Sequence, residues 1–284
     1  MTKSGTLYLC ATPIGNLGDI SFRALEILKN VDLIACEDTR HSQKLLTHFG
    51  ISKPTTSYFE HNRLEKGEQI LKVLKEGKDV ALITDAGTPA ISDPGEELVR
   101  QCAQADIRVV PIPGPAALIS ALVVSGLPTG RFSFEGFLSV NKKSRAEHLT
   151  QIEKDTRTLI FYEAPHKLLR TLNDLLAVLG DREICLVREL TKVHEEVRRT
   201  TLLEAAAYYA ENPPRGEFVL VVAGADEAAL QAQAAAAYAD IGICAHVDSL
   251  IAQGMDKKDA IKEVAQLRGL KKRDVYNQYE RADD

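Results

Sequence analysis

Apolar runs and segments of helical spacing alternate along the first part of the chain. Leu7 to Ala11 is an apolar run that leads into a turn-rich stretch, Ser21 to Asn30 has helical periodicity, and Asp32 to Cys36 is a second apolar run. The same alternation predicts a helix over Gly67 to Lys75, a strand over Asp79 to Thr84, a helix over Glu96 to Ala105 and a strand over Arg108 to Ile112. Because fully apolar strands that alternate with helices are typical of a parallel sheet covered on both faces, residues 1–117 are predicted to form an α/β domain.

A second α/β domain is predicted over residues 118–226. Its candidate strands are Phe132 to Phe134, Thr158 to Tyr162, Glu183 to Arg188 and Glu217 to Ala223. Helical stretches lie between them, at Ser144 to Lys154, His166 to Leu179 and Leu202 to Asn212. The segment Phe218 to Val222 suits a strand in a mixed sheet, whereas the charged stretch from His194 to Arg199 is interpreted as a solvated, internally paired surface.

The composition shifts after Gly224, and residues 227–284 are predicted to form a helical linker and a small all-α module. Ala228 to Ala239 is rich in alanine, a strong helix former, and suits an inter-domain spacer. Three further helices are predicted, over His246 to Gln253, Lys257 to Arg268 and Lys271 to Tyr279. Asp256 is placed to cap the middle helix and Gly269 to end it, so residues 240–284 are predicted to form a helix-turn-helix-like module.

Charge and composition narrow the class of protein. A formal net charge of −5 argues against binding nucleic acid by overall attraction but leaves room for local basic patches. The five cysteines contain no CxxC pair and the seven histidines no HxxxH spacing, so neither a disulfide framework nor a metal site is expected. The chain shows no signal-peptide pattern and no apolar run of about eighteen residues, which favours a cytoplasmic protein with no membrane segment.

Three loops rich in glycine and proline follow predicted strands of the first domain. They span residues 12–19 (TPIGNLGD), 85–95 (DAGTPAISDPG) and 113–117 (PGPAA). Ligands of open parallel sheets bind beyond the carboxyl ends of the strands, so the three loops are expected to converge on one crevice. A dinucleotide fingerprint would need GxGxxG and a phosphate loop its lysine, and both are absent; plain connecting turns are the other interpretation.

The chain carries a specific set of motifs over roughly residues 5–224: the three loops, CEDTR (36–40), EHN (60–62), FEGFL (134–138), FYEAPH (161–166), REL (188–190) and GEFVLVV (216–222). This set resembles the tetrapyrrole-methylase family, and within it the branch that acts on small-subunit ribosomal RNA. The resemblance implies two α/β domains with S-adenosylmethionine bound in the cleft between them, 2′-O-methylation of a cytidine ribose in the decoding centre of 16S rRNA, the 30S subunit as partner, and a homodimer.

The resemblance also implies which residues contact the cofactor. Thr88 stands where relatives carry the acid of a GDP-type loop, and the other positions come from the three loops and from the later strands. The implied cofactor-binding residues are Pro13, Gly87, Thr88, Pro89, Ile91, Ala116, Ala117, Tyr162, Glu163, Leu190 and Glu217.

Transfer to a ribose hydroxyl requires that its proton leave, and carboxylates and histidines are suitable bases. The candidate catalytic residues follow predicted strands, and they are Glu37, Asp38, Arg40, Glu60 and His61, with His41 and Asn62 beside them. Solvated loop charges, with Asp38 as a helix cap, are the other interpretation, and the pattern assigns the role of base to none of them.

Two basic clusters are candidates for phosphate contacts, which position RNA without reading its sequence. One is a predicted loop with Lys142, Lys143 and Arg145; the other surrounds the last turn between helices and comprises Arg268, Lys271, Lys272 and Arg273. For the second cluster, a packing or dimerisation module remains an alternative. Two other functions also stay open: methylation of a corrin or porphyrin precursor, and non-enzymatic nucleic-acid binding by a ligand-sensing core.

Overall fold

The computed structural model describes residues 4–236, 238 and 240–281. The first half contains a parallel sheet of five strands in the order β3-β2-β4-β1-β5. The strands are β1 (Leu7–Cys10), β2 (Leu33–Cys36), β3 (Thr55–Ser57), β4 (Val80–Ile83) and β5 (Val109–Ile112), and the helices are α1 (Phe22–Asn30), α2 (Thr39–His48), α3 (Arg63–Lys75) and α4 (Glu96–Gln104). The predicted parallel α/β arrangement is confirmed.

Both faces of this sheet are covered, which explains why its strands are apolar throughout. Along β4, Ala81 and Ile83 pack into the core on one face, whereas Val80 and Leu82 pack into the core on the other. Successive side chains of a strand point to opposite faces, so a strand buried on both faces needs an unbroken apolar run.

The second half contains a mixed sheet in the order β6-β7-β10-β8-β9. The sequence predicts a mixed sheet and four of these strands, but not their order. Its strands are β6 (Phe132–Gly136), β7 (Thr158–Glu163), β8 (Glu183–Arg188), β9 (Glu196–Thr201) and β10 (Phe218–Val222); its helices are α5 (Ala117–Ser125), α6 (Lys142–Ile152), α7 (Pro165–Leu179) and α8 (Leu202–Glu211). Strand β10 is antiparallel to both β7 and β8. Leu220 of β10 packs towards the cluster formed with α6, α7 and α8, and Val221 packs towards α5.

One local interpretation of the sequence is incomplete and one is wrong. The charged stretch around His194 is internally paired, as Arg198 and Glu196 lie 3.1 Å apart. The sequence pattern did not predict, however, that β9 begins at Glu196 and pairs along its length with β8, where Glu196 also lies 3.0 Å from Arg188. Lys142 is not in a loop, because the Asn141 side chain accepts hydrogen bonds from the amides of Lys143 and Ser144 and starts α6 there.

The C-terminal helices are α9 (Glu227–Ala236), α10 (Ile243–Ala252), α11 (Lys257–Leu267) and α12 (Lys272–Glu280). The last three share their own core, which includes Val247, Ile261 and Val275. The predicted cap is confirmed, since the Asp256 carboxylate accepts from the amides of Lys258 and Asp259. Two residues of the predicted helix over Ala228 to Ala239, Ala237 and Ala239, lie outside the described residues. Within the described part of the chain, no helix combines the length and apolar character needed to cross a membrane.

Candidate active site

The three loops of the first half meet the second sheet at a cavity of about 290 Å³. Backbone hydrogen bonds join the first two loops in both directions, from the Thr12 amide to the Gly87 carbonyl (2.9 Å) and from the Gly87 amide to the Thr12 carbonyl (3.0 Å). The Thr88 hydroxyl donates to the carbonyl of Pro115 in the third loop, at 3.0 Å. Gly87 has a φ of +86°, a conformation that glycine adopts without strain. The loops therefore form one connected wall.

Most of the residues expected to contact a cofactor line this cavity, and they are Gly87, Thr88, Ile91, Ala116, Ala117, Tyr162, Glu163, Leu190 and Glu217. Pro13 lies beside the lining residue Ile14, and Pro89 is buried within its loop. The sequence did not single out Asp93, Phe137 or Lys192, which also line the cavity. Asp93 and Phe137 do lie inside two of the quoted motifs, so a signal for them was present.

The wall from the second sheet is held in place by its own hydrogen bonds. The Tyr162 hydroxyl accepts from the Leu118 amide at 3.2 Å, which ties β7 to the start of α5. The Glu163 carboxylate is buried and accepts from the Ala164 amide at 2.8 Å and from the Thr171 hydroxyl at 2.5 Å. With these bonds made, Glu163 positions β7 against α7.

Lys192 reaches the cavity between two carboxylates. Its ammonium lies 2.9 Å from Glu189 and 2.9 Å from Glu217. The hydrogen bond from the Glu217 amide, followed by the contact with Lys192, lowers the pKa of Glu189 and keeps it ionised. Gly216 has a φ of +78°, and a side chain there would collide with Glu189. The ion pairs of Lys192 with Glu189 and Glu217 therefore require glycine at position 216, where the backbone passes close to the Glu189 side chain.

A group of carboxyl groups lies around Thr84 at the end of β4. The buried Thr84 hydroxyl donates to Glu37 Oε2 at 3.1 Å, and the Asp93 carboxyl group lies close enough to the same hydroxyl for it to lower the pKa of Asp93 against the larger effect of burial. Asp85 accepts from the Asp38 amide at 3.3 Å. Burial raises the pKa values of both Glu37 and Asp93; the charge of Asp93 raises that of Glu37 further, and the charge of Asp85 raises both. A carboxylate with a raised pKa is a stronger proton acceptor, and Asp93 presents one to the cavity.

The other candidate catalytic residues are held outside this group. Asp38 caps α2 through the Arg40 amide and pairs with the Arg40 guanidinium at 3.1 Å, which lowers the pKa of Asp38. Glu60 and His61 lie in a short 3-10 turn, where Glu60 pairs with Arg63 at 2.7 Å. Among the candidates predicted from the sequence, only Glu37 places its side chain in the group around Thr84, whereas Asp38 contacts that group through its backbone amide.

The residues of the two basic clusters differ in how exposed they are. Lys142 and Lys143 are exposed at the start of α6. Arg145, by contrast, is only 5% exposed and forms bonds to Asp174 (2.6 Å) and Thr171 (2.8 Å), so its expected role in contacting RNA is corrected to one of joining α6 to α7.

In the C-terminal module, Arg268 is half-buried and donates to the Ile241 carbonyl at 2.7 Å and to His246 Nδ1 at 3.2 Å. Those bonds hold α11 against α10. Lys271, Lys272 and Arg273 are exposed around the start of α12. Among residues 4–236, 238 and 240–281, no group of three or more His, Cys, Asp or Glu side chains is arranged to hold a metal ion.

Solved structures share this fold at low sequence identity. A diphthine synthase superposes with a TM-score of 0.61 at 14% identity, covering 77% of this chain and 90% of that one. A uroporphyrin-III-C-methyltransferase from Thermus thermophilus gives 0.55 at 18% identity, covering 76% and 94%. At this level of identity the likeness concerns the fold alone.

Sequence comparison identifies the family. The family of Tetrapyrrole (Corrin/Porphyrin) Methylases matches residues 6–206. "Ribosomal RNA small subunit methyltransferase I" of Synechocystis sp. is 49% identical over 273 residues, which cover 96% of each chain. The protein of the same name from Bacillus subtilis is 44% identical over 275 residues, covering 97% of this chain and 94% of its own. The chain therefore belongs to the tetrapyrrole (corrin/porphyrin) methylase family and, within it, groups with the ribosomal RNA small subunit methyltransferase I proteins.

Proposed function

We propose that the protein transfers a methyl group from S-adenosylmethionine to the ribose 2′-oxygen of a cytidine in the decoding centre of 16S rRNA. The observation that carries this proposal is the 44–49% identity to small-subunit rRNA methyltransferases over 96–97% of the chain, C-terminal module included. The cytidine, the 2′-oxygen and the decoding centre come from the family resemblance. On the same ground we propose the 30S subunit as partner, a homodimer and a cytoplasmic location.

The cavity fits such a methyl donor. Ile14, Ala116 and Leu190 give it apolar walls suited to an adenine ring. Its volume of about 290 Å³ is near the lower end of ligand pockets, which run from about 300 to 1,000 Å³. When bound, S-adenosylmethionine supplies a sulfonium methyl group for in-line transfer.

The residues of the chain would bind the donor, orient the ribose and receive its proton. In the proposed step the Asp93 carboxylate at the cavity wall would accept the proton of the 2′-hydroxyl as the hydroxyl oxygen takes up the methyl group from the donor held by the cavity residues. Thr84 donates to Glu37 and lies next to Asp93, so a protonated Asp93 would have the Thr84 oxygen within reach as an acceptor. The desolvated surroundings raise the pKa of the acceptor and so favour proton transfer.

Methylation of a tetrapyrrole precursor is the second candidate, favoured by the family's description and by the porphyrin methyltransferases of the same fold. Those solved chains match only about three quarters of this one. A small tetrapyrrole gives no reason for the C-terminal module or for the exposed lysines of α6. A non-enzymatic RNA-binding protein would not need a cavity lined by a carboxylate of raised pKa.

The test is to incubate the protein with methyl-labelled S-adenosylmethionine and 30S subunits that lack the modification, and then to map the labelled nucleotide. We expect one labelled cytidine in the decoding centre, resistant to alkaline cleavage on its 3′ side because its 2′-oxygen is blocked. Label in the base, label in an added porphyrin precursor alone, or no transfer would each overturn the proposal.

A further inference from the structure

Phe137 is an exposed aromatic side chain at the cavity. It is 59% exposed and yet lines the same cavity as Gly87 and Asp93. An aromatic ring left largely in water has no role in the folded core, where such residues usually contribute by burial. Its position raises the question of what covers it when substrate is bound.

The loop around Phe137 holds the ring in place. Gly136 has a φ of +64° and ends β6 with a turn, and the next residue but one, Leu138, is buried in the core beneath α6 and α7. The Phe137 ring packs edge-on against Tyr162, with centroids 5.6 Å apart and planes at 64°. Tyr162 is itself held by the Leu118 amide. The ring is thus supported on one side and exposed on the other.

Positive charge lies a few residues further along the chain, at the start of α6. Asn141 caps α6, and Lys142 and Lys143 form its first turn. The side chain of Lys143 is 87% exposed and approaches Glu147 only at 3.9 Å, a contact that solvent weakens. Phe137 precedes these lysines by five and six residues in the chain. Exposed aromatic rings and cations together bind single-stranded nucleic acid, because bases stack on the ring and phosphates contact the cations.

We propose that Phe137 is the stacking platform for an unpaired nucleobase of the RNA substrate, with Lys142 and Lys143 contacting the neighbouring phosphates. This inference rests on the proposed function. A ribose enters the cavity only when its nucleotide leaves the helical stack, and the unstacked base then needs another surface. Phe137 offers that surface at the place where the ribose is methylated.

The test uses the absence of tryptophan from the chain. Phe137→Trp keeps a stacking surface and introduces the sole indole, so we expect its fluorescence to be quenched when a single-stranded decoding-centre oligonucleotide is added. Phe137→Ala should lower kcat/KM for 30S subunits by about 10- to 100-fold, the usual effect of losing one base–aromatic stack. Calorimetry with S-adenosylmethionine then shows whether the effect arises from lost contact with the methyl donor instead.

Phe22 provides the matched control, because it is 93% exposed on α1 and lies outside the cavity lining. Phe22→Ala should leave kcat/KM unchanged, and Phe22→Trp should not be quenched. If Phe137→Ala methylates 30S subunits as well as Phe22→Ala does, or loses affinity for S-adenosylmethionine instead, the stacking proposal is wrong. If the unmodified protein methylates no 30S subunits, the proposed function itself fails, which is a different result.

Discussion

The Thr84 hydroxyl has one proton and interacts with two carboxyl groups, those of Glu37 and Asp93. When both are ionised, that proton serves only one of them, while burial and mutual repulsion oppose the second negative charge. Protonation of one carboxyl group removes a buried negative charge and its repulsion with the other. For this reason the pKa values of both groups are raised. Such a pair is suited to taking up a proton.

Asp93→Asn tests this role at the residue scale. The wild-type rate of methyl transfer should fall as the pH drops through the raised pKa of Asp93, because the protonated carboxyl no longer accepts a proton. Without Asp93 we expect kcat to fall about 100-fold or more, the usual contribution of a general base. The acid limb of the remaining activity should move to lower pH, because the pKa of Glu37 falls when the charge of Asp93 is removed.

Single-turnover rates with 30S subunits across pH measure both effects, with Glu76→Gln as the matched control for loss of an exposed, ion-paired carboxylate. A normal rate for Asp93→Asn with an unmoved acid limb would show that the proton leaves by another route.

At the scale of the elements, the first turns of α6 contain residues with two different roles. Arg145 joins α6 to α7, whereas Lys142 and Lys143 are exposed and are proposed to contact RNA. Arg145→Ala removes a buried guanidinium that bonds to Asp174 and Thr171. A hydrogen bond to a charged group stabilises a fold by about 1.5–3 kcal/mol, and we expect a loss in that range, measured by urea unfolding. Lys142→Ala and Lys143→Ala should leave the free energy of unfolding unchanged.

Binding to 30S subunits at several KCl concentrations separates the same residues. The two lysine variants should bind more weakly and with a shallower dependence on salt, because each removes one phosphate contact. Folded Arg145→Ala should keep the salt dependence of the unmodified protein. If Arg145→Ala alone showed a weaker dependence of binding on salt, Arg145 and not the two lysines would be the residue that contacts RNA.

At the scale of the whole molecule, the C-terminal module has its own core, separate from those of the two sheets. A chain that ends at residue 239 should therefore keep the cavity and its affinity for S-adenosylmethionine. It should bind 30S subunits more weakly, because it lacks the exposed cations Lys271, Lys272 and Arg273. Calorimetry with S-adenosylmethionine and filter binding with 30S subunits measure the two affinities. Equal affinity for 30S subunits would make the module a packing or dimerisation unit.

The sequence by itself determined the features that depend on near neighbours. Strand β4 was predictable because burial on both faces requires a continuous apolar run, and the cap at Asp256 because a carboxylate there reaches amides two and three residues ahead. The convergence of the three loops followed from a general property of parallel sheets.

Only the tertiary structure decided the features that join distant residues. Thr84 and Glu37 are 47 positions apart, and Arg145 and Asp174 are 29 apart. Neither contact leaves a periodic trace, so a buried arginine has the same sequence pattern as an exposed one. Strand β9 became a strand because β8 supplies its backbone partners, although its own residues are mostly polar. Local patterns define the elements that are buried or capped by their own residues, whereas edge strands and side-chain environments depend on which elements meet.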